Sequence, residues 1–148
     1  MCIRDIHSSL ESLLDKLRDT GLLFLRLALA YGFYTPAMSK WADIGAIADW
    51  FGSMGIPFPT LNAYMAATTE ITGVVLLVLG LMVRVISLPL IVVMIVAIAT
   101  VHLPHGFEAG NNGFEIPLYY ILMLIMLATH GGGKYAIDRL WTGETDTK

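Results

Sequence analysis

Apolar runs of about the length needed to cross a lipid bilayer constrain this chain more than any other feature. Roughly 20 apolar residues in a helix span the ~30 Å of bilayer hydrocarbon, and four such blocks follow one another at residues 21–41, 60–82, 83–103 and 113–130. Hydrophobic residues make up 56% of the chain and charged ones 14%, against roughly 45–50% and about 25% in a soluble domain. That leaves too little charge to coat a globule. The backbone of a spanning segment must bond to itself in lipid, so the expected fold is all-α: a four-transmembrane-helix bundle forming a single integral membrane domain over 1–148.

The blocks are joined by segments with patterns of their own. Residues 3–18 place Ile3, Ile6, Leu10, Leu13, Leu14 and Leu17 at steps of three and four, with Arg4, Asp5, Glu11, Asp15, Lys16 and Arg18 between them. This is the periodicity of an amphipathic helix, expected along the headgroup surface, with docking to a partner as the rival reading. In the first loop, Ile44, Ile47, Phe51 and Met54 repeat at helical spacing beside Trp41 and Trp50, predicting a short interfacial helix that ends at Gly55-Ile56-Pro57-Phe58-Pro59. Pro36 can bend the first span, and Pro89 falls early in the third, where a missing N–H costs least. Only residues 81–84 separate the cores of the second and third spans, which form a tight hairpin. The glycine run 131–133 stops the fourth span, and a tail over 134–148 carries Tyr135, Leu140 and Trp141.

Basic residues set the orientation, because cytoplasmic loops are enriched in them. Arg4, Lys16, Arg18, Arg84, Lys134, Arg139 and Lys148 fall on one side of a four-span arrangement, and Lys40 alone falls on the other. Both termini are therefore expected to be cytoplasmic, with loops 42–59 and 104–112 facing outward. The net charge of −3 calls for no nucleic-acid partner. The single cysteine, Cys2, cannot make an internal disulfide or a CxxC pair, and no apolar stretch precedes it as a lipoprotein signal would require.

Charge inside a span is expensive, ~2.5–3.5 kcal/mol or more near the helix centre, so such groups face protein and pair. Arg26, Phe33 and Lys40 are seven apart and share one face of the first span. Glu70 has Ala63, Ala66, Ala67 and Gly73 at neighbouring helical positions, small residues that admit another helix closely. Similar depths make an Arg26–Glu70 pair the expected arrangement. Its purely structural alternatives are a salt bridge that fixes helix order and an arginine that snorkels to the surface. Nearer the outer face, Lys40, His102, His105, Glu108 and Glu115 are candidates for a polar pocket above Glu70. Asn112-x-x-Glu115 also fits a capping pattern at a helix start, and His102 fits an ordinary interfacial histidine.

Metal binding has thin support. His102 and His105 would share a helix face, but Pro104 stands between them; the eight methionines form no compact thioether array and read as packing or lipid-facing residues. Walker, dinucleotide, CxxC, HExxH and serine-nucleophile motifs are all missing, so no self-sufficient enzyme is visible.

With its Arg26-Leu27 opening, Ser39-Lys40-Trp41 exit, Glu70-x-x-Gly73 followed by Leu79-Gly80-Leu81, His102, and Asn112-Gly113-x-Glu115, the chain resembles the DoxX-like family of small four-helix bacterial membrane proteins from about Leu22 to Trp141. Ile56-Pro57-Phe58-Pro59, Ala66-Ala67-Thr68-Thr69-Glu70 and Thr100-Val101-His102 are most similar to a subgroup linked to maturation of copper-binding modified peptides. The loop between His102 and Asn111 is shorter than in some of that subgroup. The resemblance implies association with membrane redox systems, in which partner proteins hold the cofactor, or with modified-peptide production. The leading expectation is a redox-linked accessory subunit. In it Arg26, Lys40, Glu70, His102 and Glu115 bind a quinone supplied by the membrane, or a small anion, and handle its protons. Arg26 would be a fixed positive charge, Glu70 a buried proton acceptor, and His102 a group titrating near neutral pH. The alternatives are a membrane component for maturation, transport or copper handling of such a peptide, with His102 and His105 as candidate ligands, and a structural scaffold. Membrane lipid and proteins of a redox or peptide-maturation system are the expected partners, with room for a homo-oligomer.

Overall fold

A computed structural model describes residues 3–142, with side chains from 6 to 141. Cys2, Lys148, the end of the 134–148 tail and the side chain of Arg4 lie outside that range. The described residues are all-helical, and three helices are long and apolar enough to cross a membrane, at Ile6–Ala42, Pro59–Leu79 and Val83–His105; Glu115–His130 is apolar and shorter.

Helix α1 runs over Ile3–Ala42 without interruption, so the amphipathic segment and the first expected span are one element. Nothing at residues 19–21 can stop it. Gly21 costs about 1 kcal/mol in a helix interior, which a long helix absorbs, and Pro36 leaves the helix continuous to its end. At ~1.5 Å per residue such a helix is about 60 Å long, roughly twice the hydrocarbon thickness. Its first third leaves Ile6, Leu10, Leu13, Leu14 and Leu17 exposed.

Helix α2, Ile44–Ser53, starts on Asp43, whose carboxylate accepts the Ala46 N–H at 3.0 Å. The short loop helix expected from the apolar spacing is therefore present. Met54 and Gly55 end it, Gly55 at φ +77°. Helix α3 spans Pro59–Leu79. Pro59 sits at the first helical position, where a missing N–H costs nothing. The turn into α4, Val83–Ala97, uses Gly80 at φ +69° and Met82 at φ +49°, and gives the tight hairpin anticipated.

The third expected span does not continue as α-helix to 103. The chain passes into a π-helical turn, Ile98–His102, and a 3₁₀ turn, Leu103–His105. Two causes act together: Pro104 cannot donate to the Thr100 carbonyl, and the Thr100 hydroxyl bonds the Val96 carbonyl at 2.7 Å, competing with the backbone ladder. After a second 3₁₀ turn, Ala109–Asn111, helix α5 runs over Glu115–His130 and ends at Gly131. Helix α6, Asp138–Thr142, is short.

The long helices form a ring in the order α1, α3, α4, α5, with α2 folded back on α3. The broad contacts are α1 on α3 and α4 on α5. The core sits towards the hairpin end, where Leu22, Leu29 and Phe33 meet Leu77, Val83, Leu90, Leu124 and Leu127. Next to this core the helices leave a cavity, whose wall includes Lys40, Glu70 and His102.

Candidate functional site

The shared face of Arg26, Phe33 and Lys40 is turned inward as the spacing requires. Arg26 and Phe33 are fully buried, and the Lys40 side chain is 16% exposed. On α3, Ala63, Ala67, Glu70 and Gly73 form one buried stripe, so the small residues do admit α1. The pairing is not the one expected. Lys40, not Arg26, meets Glu70: its ammonium donates to both carboxylate oxygens, at 3.0 and 2.8 Å, and Glu70 is 2% exposed.

Side-chain direction explains the exchange. Helical side chains lean towards their own N-terminus, and α1 and α3 are antiparallel. Lys40 therefore reaches back from the last turn of α1 to the middle of α3. Arg26 leans in the same direction, which carries it to the end of α3, where it donates to the carbonyls of Leu77 at 2.9 Å and Val78 at 3.4 Å, and to Tyr135 in the tail at 3.0 Å. The first two are carbonyls that the end of α3 leaves without partners, at the pole that favours a cation. Arg26 Nε has no bond of its own among the described residues. Gly80 is what lets the guanidinium in, since a Cβ there would overlap Arg26 Nη1 and stand 2.7 Å from the Ala136 Cα.

The same tail closes the hairpin. Asp138 accepts the N–H groups of Met82 at 2.6 Å and Val83 at 2.9 Å, capping α4 from more than fifty residues away. The Lys134 N–H bonds Asp19 on α1 at 2.9 Å. Arg26 thus belongs to a clamp at the hairpin end.

A cavity of about 740 Å³ lies between the helices beyond that clamp. Lys40, Glu70 and His102 line it, with Thr69 and Tyr120 and an otherwise mostly apolar wall from α1, α3, α4 and α5. Trp41 holds the Lys40 turn in place, donating to the Ala67 carbonyl at 3.2 Å and setting its ring edge-on to Tyr64 at 6.0 Å. Tyr120 lies against Phe33, with ring centroids 5.3 Å apart, over Gly32, whose missing side chain makes room for the phenol.

His102 is fixed by the loop that covers it. Its Nδ1 lies 2.8 Å from the Asn112 carbonyl; a carbonyl can only accept, so Nδ1 carries the proton and Nε2 is left for other partners. Glu115 and His105 do not reach the cavity lining. Glu115 accepts the Ala109 N–H at 3.0 Å and the Tyr119 hydroxyl at 3.1 Å, and His105 Nδ1 meets the Val101 carbonyl at 2.9 Å. The Asn112-x-x-Glu115 capping box does not form, because Phe114 occupies the cap position without a side-chain bond. Glu115 instead anchors the loop from the first turn of α5. Gly113 lets that loop fold on itself, since a Cβ there would fall 2.5 Å from the Gly106 carbonyl oxygen. The Glu108 carboxylate accepts the Asn111 side-chain amide at 3.3 Å. Among the described residues no three His, Cys, Asp or Glu side chains gather as a metal site would need.

Of the five residues singled out from the sequence, the structure brings Lys40, Glu70 and His102 to one cavity wall and places Arg26 at the hairpin end and Glu115 in the loop anchor. Sequence reasoning missed Thr69 and Tyr120. Neither falls three or four residues from one of those five on its helix, so the helical period gave no signal for them.

An antiparallel helical bundle in a lipid-length frame, with one buried ion pair facing an apolar cavity, defines a class of small integral membrane protein. The DoxX family model matches residues 21–103, and the chain belongs to that family. It is 33% identical over 127 residues to a Bacillus subtilis protein named "Putative oxidoreductase CatD", covering 84% of this chain and 90% of that one. An uncharacterized protein of Haemophilus influenzae is 32% identical over 81% of this chain and 82% of its own length, and an uncharacterized membrane protein of Mycobacterium tuberculosis is 35% identical over 80% of each. No solved structure matches the chain significantly.

Proposed function

We propose that this DoxX-family protein is a redox-linked accessory subunit of the bacterial inner membrane that binds a quinone-like ligand in the cavity beside the Lys40–Glu70 pair. The observation that carries this reading is the cavity itself. Its volume lies within the range of small-molecule pockets, and its wall is apolar with a few convergent polar groups, as such pockets are. The donor set suits a quinone: Lys40 and Glu70 form a buried pair that can hold or release a proton, and His102 offers Nε2. Quinones couple electrons to protons; this chain supplies binding, orientation and the proton, while a partner protein supplies the electrons. The name of the Bacillus subtilis relative supports the redox association.

In this reading all four apolar helices cross the membrane, α5 being the short one, and both termini are cytoplasmic because the basic residues collect at the hairpin end. The exposed stripe from Ile6 to Leu17 meets the headgroup layer where α1 leaves the hydrocarbon, and α2 lies at the outer interface. The copper-peptide alternative has only His102 and His105 to draw on, and their Nδ1 atoms are both spent on backbone carbonyls.

The test is lipid and quinone analysis of the protein purified in nanodiscs, by mass spectrometry and difference spectroscopy. Co-purifying quinone that is lost in Glu70→Gln is the expected result. Absence of any bound ligand, with partner activity indifferent to Glu70→Gln, would overturn it in favour of a scaffold.

A further inference from the structure

The cavity has a side opening as well as a polar end. α3 and α4 are pressed together near their hairpin, where Gly73 makes room for Leu90: a Cβ there would stand 2.8 Å from Leu90 Cδ1. Farther from the hairpin the two helices contribute facing cavity walls, Met65, Ala66 and Thr69 from α3 and Val92, Val93 and Val96 from α4. Met65, Val92 and Val96 are 57%, 58% and 44% exposed while also lining the cavity. A residue that does both is on a rim. Both helices are of spanning length and apolarity, so this rim opens sideways, towards lipid.

The electrostatics of the interior choose among ligands. One ammonium serves both oxygens of Glu70, so the pair is internally neutral and offers no spare positive charge. A free anion entering here would lose its hydration among apolar walls with little in return. The polar atoms left over are uncharged. Among the described residues the Thr69 and Tyr120 hydroxyls have no hydrogen bond, and His102 Nε2 has none beyond the ring's Nδ1 contact. These come from α3, α5 and the turn after α4.

Building on the reading of this cavity as a ligand site, we infer that its ligand is a long-chain amphiphile with an uncharged, hydrogen-bonding head that enters from the bilayer between α3 and α4. The head meets Thr69, Tyr120 and His102, and the chain leaves through the rim of Met65, Val92 and Val96. A neutral prenylated quinone has this chemistry, whereas a small water-soluble anion does not.

The test uses the full chain in nanodiscs with three probes: a long-chain ubiquinone carrying a diazirine in its prenyl tail, a tail-less benzoquinone, and thiosulfate. Photolabelling of the peptides containing Met65 and residues 92–96, competed by unlabelled long-chain quinone, is expected. Val92→Trp and Val96→Trp change lipid-facing positions and should leave the fold intact. Each is expected to reduce long-chain labelling by about tenfold while tail-less quinone binding stays within about twofold of the unaltered protein. Labelling that maps elsewhere, or is unchanged by both rim variants, overturns the lateral route while leaving a quinone site in place. Thiosulfate binding that depends on Lys40, without quinone binding, overturns the neutral-headed ligand. If no probe binds, the inference and the ligand reading on which it rests fall together.

Discussion

Removing Lys40 should cost the fold more than removing Lys40 and Glu70 together. Lys40→Met leaves a carboxylate that is 2% exposed without the one cation that reaches it among the described residues, and breaking a buried pair from one side costs ~3–5 kcal/mol. Glu70→Met is milder. The freed lysine stands in the last turn of α1 with its side chain 16% exposed, and a long stem can turn its ammonium outward, so a loss of about 1–2 kcal/mol is expected. The double variant replaces both charges with flexible apolar side chains of similar length and should return to within ~1 kcal/mol of the starting stability. The coupling is then several kcal/mol in favour of the pair. At ~2–4 °C per kcal/mol for a chain of this size, Lys40→Met should melt roughly 6–20 °C lower and the double variant within about 4 °C. Thermal unfolding followed by tryptophan emission is a suitable assay, because Trp41 contacts Ala67 and Tyr64 beside the pair. If the two single losses simply add in the double variant, or Lys40→Met costs under ~1 kcal/mol, Lys40 is not what neutralises Glu70. The same double variant separates function from framework. A scaffold would keep full partner activity with it, whereas a proton-handling site would lose it in a protein that remains folded.

Arg26→Met removes three carbonyl partners at once and should cost ~3–5 kcal/mol. Arg26→Lys keeps the charge but not the fork, so it should recover only part of that loss in the same melting assay; equal stability of Arg26→Met and the unaltered chain would refute the clamp. The four-span orientation predicts that Ser53→Cys reacts with a membrane-impermeant maleimide in intact cells, and that Lys134→Cys, in a Cys2→Ser background, reacts only after permeabilisation. Labelling of both from outside would refute it.

What could be read in the sequence was periodicity. The seven-residue spacing of Arg26, Phe33 and Lys40 named the inward face of α1, the alanines and Gly73 around Glu70 named the face of α3, and the spacing of Ile44, Ile47 and Phe51 named α2. Which partner each charge takes was not legible. It depends on the lean of side chains along antiparallel helices and on α1 running on to Ala42, and a depth count from span centres ignores both. The capping pattern at Asn112 was also misleading, because the Glu115 carboxylate is drawn to the Ala109 N–H instead. Asp138 gave no local signal: its meaning lies in two N–H groups at the start of a helix 55 and 56 residues earlier.

That last contact orders events in time. The chain leaves the ribosome from its N-terminus, so α1, α3 and α4 are inserted while the residue that caps α4 and the carbonyl that receives Arg26 are still unmade. The hairpin end stays unlatched until Tyr135 and Asp138 emerge, so the bundle can lock shut only after the segment that follows α5 has been made.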